Sequence, residues 1–176
     1  MRCYLGLGAN LGDPPRAFDR ALARLERPYT QVVRSARWYG SAPMGPPDQP
    51  PYLNTVVEVE TVLSPIALLA ELKATERHVG RSTPVVRWGP REIDVDLLLY
   101  GDARIDRPLL TVPHAGIATR RFVLAPLAEL APHHVISGPN RTVLELLDAL
   151  TDDPATVWLA PGRLDCSAVS RGSSPS

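Results

Sequence analysis

Cysteine and lysine are almost missing from this chain. Cys3 and Cys166 are the only two cysteines in 176 residues. Lying near opposite ends, they exclude a disulfide framework and a cysteine-held metal. Lys73 is the single lysine, so 18 of the 19 cationic side chains are arginines; planar, permanently charged groups suit phosphate, but biased base composition in the gene gives the same skew and is the first explanation of the total. Neither sign of charge dominates, with 19 acidic residues against 19 basic ones. No global basic field is therefore present to hold nucleic acid nonspecifically. No apolar run approaches the length of a membrane span, and Met1–Asn10 lacks the apolar core of a signal peptide. A cytoplasmic protein without membrane attachment is the expectation. Two nucleotide-binding signatures also fail. In Gly6-Leu7-Gly8-Ala9-Asn10-Leu11-Gly12 the third glycine falls one place too late for a dinucleotide fingerprint, and no phosphate-binding loop ending in Gly-Lys-Ser/Thr occurs.

What is present fits one folded domain: 44% hydrophobic and 22% charged residues, close to globular averages. Cys3–Leu7 reads as a buried strand ending in a turn. Asp13-Pro14-Pro15 supplies a cap and a first-turn proline for a helix to about Arg27, with Ala17, Ala21, Leu22 and Leu25 on its apolar face. Thr30–Tyr39 predicts a second strand, Gly40–Pro51 a proline-shaped loop, and Tyr52–Thr61 a third strand antiparallel to the second. Ser64-Pro65 caps a second helix to about His78. A loop at Gly80–Pro90 precedes a fourth strand at Glu92–Tyr100. This order predicts an α+β, ferredoxin-like βαββαβ sandwich forming a single domain. Phe122–Ala131 and Thr142–Leu150 read as added short helices. Residues 1–160 would form the domain, and Pro161–Ser176, rich in Ser, Gly and Pro, a flexible tail.

The chemistry concentrates in Arg87-Trp88-Gly89-Pro90-Arg91-Glu92-Ile93-Asp94-Val95-Asp96. Alternation on a strand puts Asp94 and Asp96 on one face, with Ile93, Val95 and Leu97 on the other. Like charges about 6 Å apart repel by roughly 3 kcal/mol at an effective dielectric near 20, so an apolar strand bearing both implies a cation between them. Paired carboxylates suit Mg²⁺, which takes one or two carboxylates together with phosphate oxygens and water. The alternative is a solvated strand face on which the two acids cost little. Arg81, Arg87, Arg91, Arg120 and Arg121 recur where the chain turns, and together with a metal pair they suit a polyphosphate. Singly each could be a surface residue. His114 could donate to phosphate or act as an acid, or be a satisfied structural histidine. Tyr52 and Asn54 share a strand face, an aromatic platform beside an amide, which suits a flat heterocycle. An ordinary core tyrosine with an exposed asparagine would look the same.

Gly8-Ala9-Asn10-Leu11-Gly12, Pro43-Met44-Gly45, Tyr52-Leu53-Asn54, Arg87-Trp88-Gly89-Pro90-Arg91 with Asp94-Val95-Asp96, and Thr111-Val112-Pro113-His114 carry a resemblance. Over residues 1 to 150 the chain resembles 6-hydroxymethyl-7,8-dihydropterin pyrophosphokinases of folate biosynthesis. The resemblance implies transfer of pyrophosphate from ATP to the pterin hydroxymethyl oxygen, with AMP released. It implies two Mg²⁺ ions on Asp94 and Asp96, Arg81 and Arg91 stabilising the migrating group, and His114 and Arg120 on the ATP phosphates. Glu76, Trp88, Leu97 and Thr111 match positions near the nucleotide. Tyr52 and Phe122 would sandwich the pterin, Asn54 would hydrogen-bond it, and Ser41, Ala42 and Met44 would meet it. Trp88 would close over the site. Pro84, Leu109 and Ala115 depart from the pattern, where a flexible basic residue, an arginine and an aromatic would stand. The partners implied are small molecules, with no nucleic acid or membrane, acting on a monomer. Two other readings stay open from the residues alone: a different two-metal nucleotidyl transferase, and a noncatalytic ligand- or RNA-binding module.

Overall fold

Alternation of small and branched apolar residues starts the central strand β1 at Arg2–Ala9, whose Cys3, Leu5, Leu7 and Ala9 are buried on one face. The computed structural model describes residues 1–43, 48–80, 89–164 and 166. Asp13 then caps helix α1 (Pro14–Leu25) by accepting from the Arg16 amide at 3.2 Å. Phe18, Ala21, Leu22 and Leu25 face inward from it at helical spacing. Strands β2 (Thr30–Ser35), β3 (Arg37–Ser41) and β4 (Tyr52–Thr61) follow. Helix α2 (Pro65–Val79) is capped by Ser64 and stopped by Gly80 at φ 116°, a left-handed residue that glycine adopts without strain.

Strand β5 (Asp94–Tyr100) completes the core pattern, and a hairpin of β6 (Ile105–Arg107) and β7 (Leu110–Val112) comes next. Helix α3 (Arg121–Leu130) precedes a second small hairpin, β8 (Val135–Ile136) with β9 (Arg141–Thr142). Thr142 and Glu145 form a reciprocal capping box at the start of α4 (Val143–Asp148). Strand β10 (Val157–Arg163) ends the described chain apart from Leu164 and Cys166.

The main sheet is antiparallel throughout, in the order β10-β3-β4-β1-β5, with β2 also paired to β4. Helices cover both faces. Leu5, Leu7, Val57, Val59, Val95 and Leu97 pack with Phe18 and Leu22 of α1 and Leu68 and Leu72 of α2. On the reverse face, Tyr4, Val56 and Leu98 pack with Leu124 and Leu127 of α3 and Leu146 of α4. Glu58, 1% exposed, fastens this arrangement. Its carboxylate meets Arg2 Nε at 2.9 Å and Arg34 Nη2 at 2.8 Å, and that same Arg34 nitrogen donates to the Leu130 carbonyl of α3.

Three expectations need correction. The strand expected over Thr30–Tyr39 is two strands, interrupted at the buried Ala36. A register shift between Val32 and Arg34 bends the chain, and the Thr55 hydroxyl donates to the carbonyls of Ala36 and Arg37. The fourth strand starts at Asp94, not Glu92. The segment from Pro161, expected to fray, instead continues in β10 to Arg163. There the Ser35 carbonyl accepts from Arg163, and Leu164 is 2% exposed in the core. Residues 165 and 167–176 lie outside the described residues. Composition misled here because Gly162, at φ 113°, makes an ordered irregularity against which the Trp38 ring sits.

Leu164→Ala should therefore cost about 2–5 kcal/mol, the range for emptying a buried leucine site, measured by urea unfolding. A loss within 0.5 kcal/mol, about what exposed sites show, would place this segment outside the core.

Candidate active site

Strand alternation sends Asp94 and Asp96 from β5 to the face opposite Ile93, Val95 and Leu97, as expected. There they line a cavity of about 470 Å³. Its floor is the central strand. Gly8 pairs with Asn54 on one side and Asp94 on the other, and Gly6 lies between Val56 and Asp96. A Cβ on Gly8 would stand 3.4 Å from Asn54 Oδ1, so glycine here keeps the floor bare between the amide and the acids. The failed dinucleotide signature has this role instead.

Around the two acids stand three cations or donors from three elements. Arg91 Nη1 forms an ion pair with Asp94 Oδ2. Lys73, reaching across from α2, places Nζ 4.0 Å from Asp96 Oδ1, and His114 places Nε2 4.0 Å from Asp96 Oδ2. Burial first, then the neighbouring Asp94 charge, holds the Asp96 carboxyl above its ordinary range. Burial likewise pulls the His114 imidazole below its usual value. Its Nδ1 accepts from the Gly116 amide at 3.1 Å, so the neutral ring carries its proton on Nε2, facing Asp96 and the cavity.

Each of these groups is itself fixed from behind. Lys73 Nζ is 2.8 Å from Glu76 Oε1, which also accepts from the Val95 amide of β5 at 2.8 Å. Asn10, 4% exposed, is a hub: its Oδ1 accepts from the Arg91 amide, its own amide donates to the Arg91 carbonyl, and its Nδ2 donates to the Pro50 carbonyl. Arg91 Nε is buried with no hydrogen-bond partner among the described residues, a donor at the cavity suited to an anion.

The other end of the cavity combines an amide with aromatic rings. Asn54 is 4% exposed, and its Nδ2 donates to the Tyr39 carbonyl and the Ser41 hydroxyl of β3. That leaves Oδ1 as the acceptor beside the bare floor at Gly8. Tyr52, Phe122, Ser41 and Ala42 line the same end. Tyr52 is held by its hydroxyl donating to the Gly89 carbonyl at 2.8 Å. Arg120 also lines the cavity, its guanidinium carbon 5.9 Å from the Phe122 ring centre.

The structure thus brings together Asp94, Asp96, Arg91, His114, Arg120, Ser41, Ala42, Tyr52, Asn54 and Phe122. Arg81, Trp88, Met44 and Pro84 lie outside the described residues. The side chains of Leu97, Glu76 and Thr111 do not line the cavity. Leu97 is packed in the core on the opposite face, Glu76 is buried behind Lys73, and Thr111 is exposed on β7. Leu109 is 80% exposed. Sequence reasoning set aside Lys73 as a helix residue, and read no role into Gly6, Gly8 or Asn10. Its signal for Lys73 was the i,i+3 spacing to Glu76, which needs the fold to gain meaning.

Comparison with known proteins adds four findings. Residues 4–132 match the family model described as 7,8-dihydro-6-hydroxymethylpterin-pyrophosphokinase (HPPK). The chain is 46% identical over 133 residues to the 2-amino-4-hydroxy-6-hydroxymethyldihydropteridine pyrophosphokinase of Pseudomonas aeruginosa, covering 75% of this chain and 82% of that one. It is 40% identical over 154 residues to the enzyme of the same name from Haemophilus influenzae, covering 86% and 94%. Among solved structures it resembles the Plasmodium falciparum wild-type HPPK-DHPS crystallised with pteroate. There the TM-score is 0.68 at 14% identity, over 84% of this chain and 42% of that longer one, a likeness of fold.

Since burial and Asp94 both disfavour an ionised Asp96, Asp96→Asn should leave the unliganded protein as stable as the parent or more so, in urea unfolding at pH 7. A clear loss of stability would make Asp96 a structural ion-pair residue.

Proposed function

The chain belongs to the 7,8-dihydro-6-hydroxymethylpterin-pyrophosphokinase family, and from that premise we propose how its cavity carries out the reaction. The enzyme transfers pyrophosphate from ATP to 6-hydroxymethyl-7,8-dihydropterin in folate synthesis. The pterin hydroxymethyl oxygen attacks the β-phosphorus of ATP, the bond from that phosphorus to the α,β-bridging oxygen breaks, AMP departs with the bridging oxygen, and the alcohol proton is released.

One observation carries the assignment of roles. A single bare strand separates an amide-and-aromatic wall (Asn54, Tyr52, Phe122) from a pair of carboxylates ringed by cations. The pterin lies at the first wall, stacked by Tyr52 and Phe122, with its N–H groups donating to Asn54 Oδ1 and its edge against Ser41, Ala42 and Met44. The triphosphate lies at the second. Among the described residues no group of three or more His, Cys, Asp or Glu converges. The protein would therefore offer two carboxylates, Asp94 and Asp96, to a pair of Mg²⁺ ions and leave the other positions to phosphate oxygens and water, a donor set Mg²⁺ accepts. When bound, Mg²⁺ neutralises phosphate charge and lowers the cost of bringing the alcohol oxygen to phosphorus.

This chain's own groups do the rest. Arg91, whose Nε has no hydrogen-bond partner among the described residues, and Arg81 hold the migrating pyrophosphate. His114 donates its Nε2 proton to a phosphate oxygen, and Arg120 and Lys73 balance charge at the α-phosphate side. Trp88 excludes water from the closed site. Leu97, Glu76 and Thr111 contribute no cavity side chain: Glu76 acts through Lys73, and Leu97 through the core under β5. The strand order supports the ferredoxin-like reading of the core, since β5, β1, β4 and the divided β2/β3 occupy the four places of a βαββαβ sheet. The reading includes a monomer working in the cytoplasm. A noncatalytic RNA-binding module needs an open aromatic sheet face, whereas here helices cover both faces and the exposed floor holds glycines and acids.

Asp94→Ala and Asp96→Ala should each lower AMP formation from ATP plus pterin by about 10³-fold or more, with AMP absent when the pterin is omitted. Near-normal turnover would remove the two-carboxylate assignment. Lys73→Met should raise the KM for ATP by about tenfold, the equivalent of one charge-assisted hydrogen bond, and leave the pterin KM unchanged. An unaltered ATP KM would confine Lys73 to its pairing with Glu76.

A further inference from the structure

We propose that the C-terminal strand β10 is a positioning element for the pterin wall, with Trp158 as its key side chain. This rests on the reading of Ser41, Ala42 and Asn54 as the pterin site. The matched family region ends at residue 132, so β10 lies beyond it.

Little within the sheet's interior holds β3. Strand β4 is shared: β2 takes its far half, from Val57 to Thr61, and leaves β3 only the three pairs Tyr39–Asn54, Gly40–Leu53 and Ser41–Tyr52. A ladder of three pairs next to a long loop should fray. Strand β10 pairs with these same three residues from the other side, Val157 with Ser41, Trp158 with Gly40 and Leu159 with Tyr39. The Ala42 amide then donates to the Thr156 carbonyl at 3.2 Å, one residue further toward the loop. Tyr39 and Ser41 are also the residues whose oxygens accept from Asn54 Nδ2. The strand edge that β10 closes is therefore the one that orients the Asn54 amide.

Two tryptophans lock the pair. A Cβ on Gly40 would lie 2.3 Å from Trp158 Nε1 and Cε2, so the ring lies directly on the Gly40 backbone. Across the same ladder the Trp38 ring occupies the equivalent space over Gly162, 2.3 Å from where a Cβ would stand. Trp158 is 43% exposed, too exposed to be a core residue. Its contact is with the strand that carries the pterin wall, and three strands (β3, β4 and β1) separate it in the sheet from the acids on β5.

Trp158→Ala should therefore weaken pterin binding about five- to tenfold, the scale of a small displacement of a binding wall. It should change the affinity for a nonhydrolysable ATP analogue less than twofold. Trp158→Phe, which keeps a ring over Gly40, should restore pterin binding to within twofold of the parent. Gly40→Ala, whose methyl displaces the ring, should weaken pterin binding in the parent and add little in the Trp158→Ala background. Both affinities are measured by titration calorimetry, with thermal melting as the control for folding. Equal losses for both ligands, or no loss for the pterin, would overturn the proposal. Asn54→Ala in parallel separates the two levels. Loss of pterin affinity there, with none in Trp158→Ala, ends the positioning role alone. Retained pterin affinity in Asn54→Ala ends the placement of the pterin itself.

Discussion

Two carboxylates at alternate positions of a buried strand impose the terms to which the rest of this site responds. A unit charge 4 Å from its partner gains about 4 kcal/mol at an effective dielectric of 20. Lys73 stands at that distance from Asp96, the neutral His114 ring turns Nε2 toward it at the same distance, and Arg91 pairs with Asp94. Asp96 nevertheless keeps its proton more readily than an aspartate in water, so burial outweighs these neighbours. In the proposed reading magnesium-bound triphosphate would offset that cost, and Arg91 Nε, buried without a hydrogen-bond partner among the described residues, suits the same anion.

The two cations and the histidine donor come from separate places in the chain, and each is held by a polar group behind it. Glu76 ties Lys73 of α2 to the β5 backbone, Asn10 at the end of β1 ties down Arg91, and the Gly116 amide fixes the His114 tautomer. Supporting groups of this kind place a reacting geometry more finely than loops alone can. Gly6 and Gly8 then act by what they omit. With no side chains between β4 and β5, an alcohol carried by a ring at Asn54 could, in the proposed reading, reach a phosphate held at Asp96. That reading depends on β1 lying between these two strands.

Much of this was legible beforehand. Alternation put Asp94 and Asp96 together and Leu97 with the core, cap-plus-proline signals located α1 and α2, and the shared strand face of Tyr52 and Asn54 brought both to one cavity. The resemblance in turn placed Leu97, Glu76 and Thr111 near the nucleotide, whereas their side chains lie off the cavity. A match of position does not say which way a side chain points. Lys73 seemed an ordinary helix residue, and Pro161-Gly162 seemed a tail. Each acquires its meaning from a partner distant in sequence: Asp96 for Lys73, and Trp38 for Gly162.

Local order is therefore what the sequence determined: helix ends, strand faces, and the residue types that can hold a polyphosphate and a flat ring. Those properties follow from short-range sterics and from side-chain periods of two and 3.6 residues. The tertiary structure alone decided which faces meet. It set β1 between β4 and β5 with glycines as the floor, and brought α2 near enough to β5 for Lys73 to confront Asp96. It also returned the C-terminal strand to the edge of β3. The strand pairings join residues 44 to 126 positions apart, where no local pattern records them and only the shared burial of a sheet's two faces selects one arrangement.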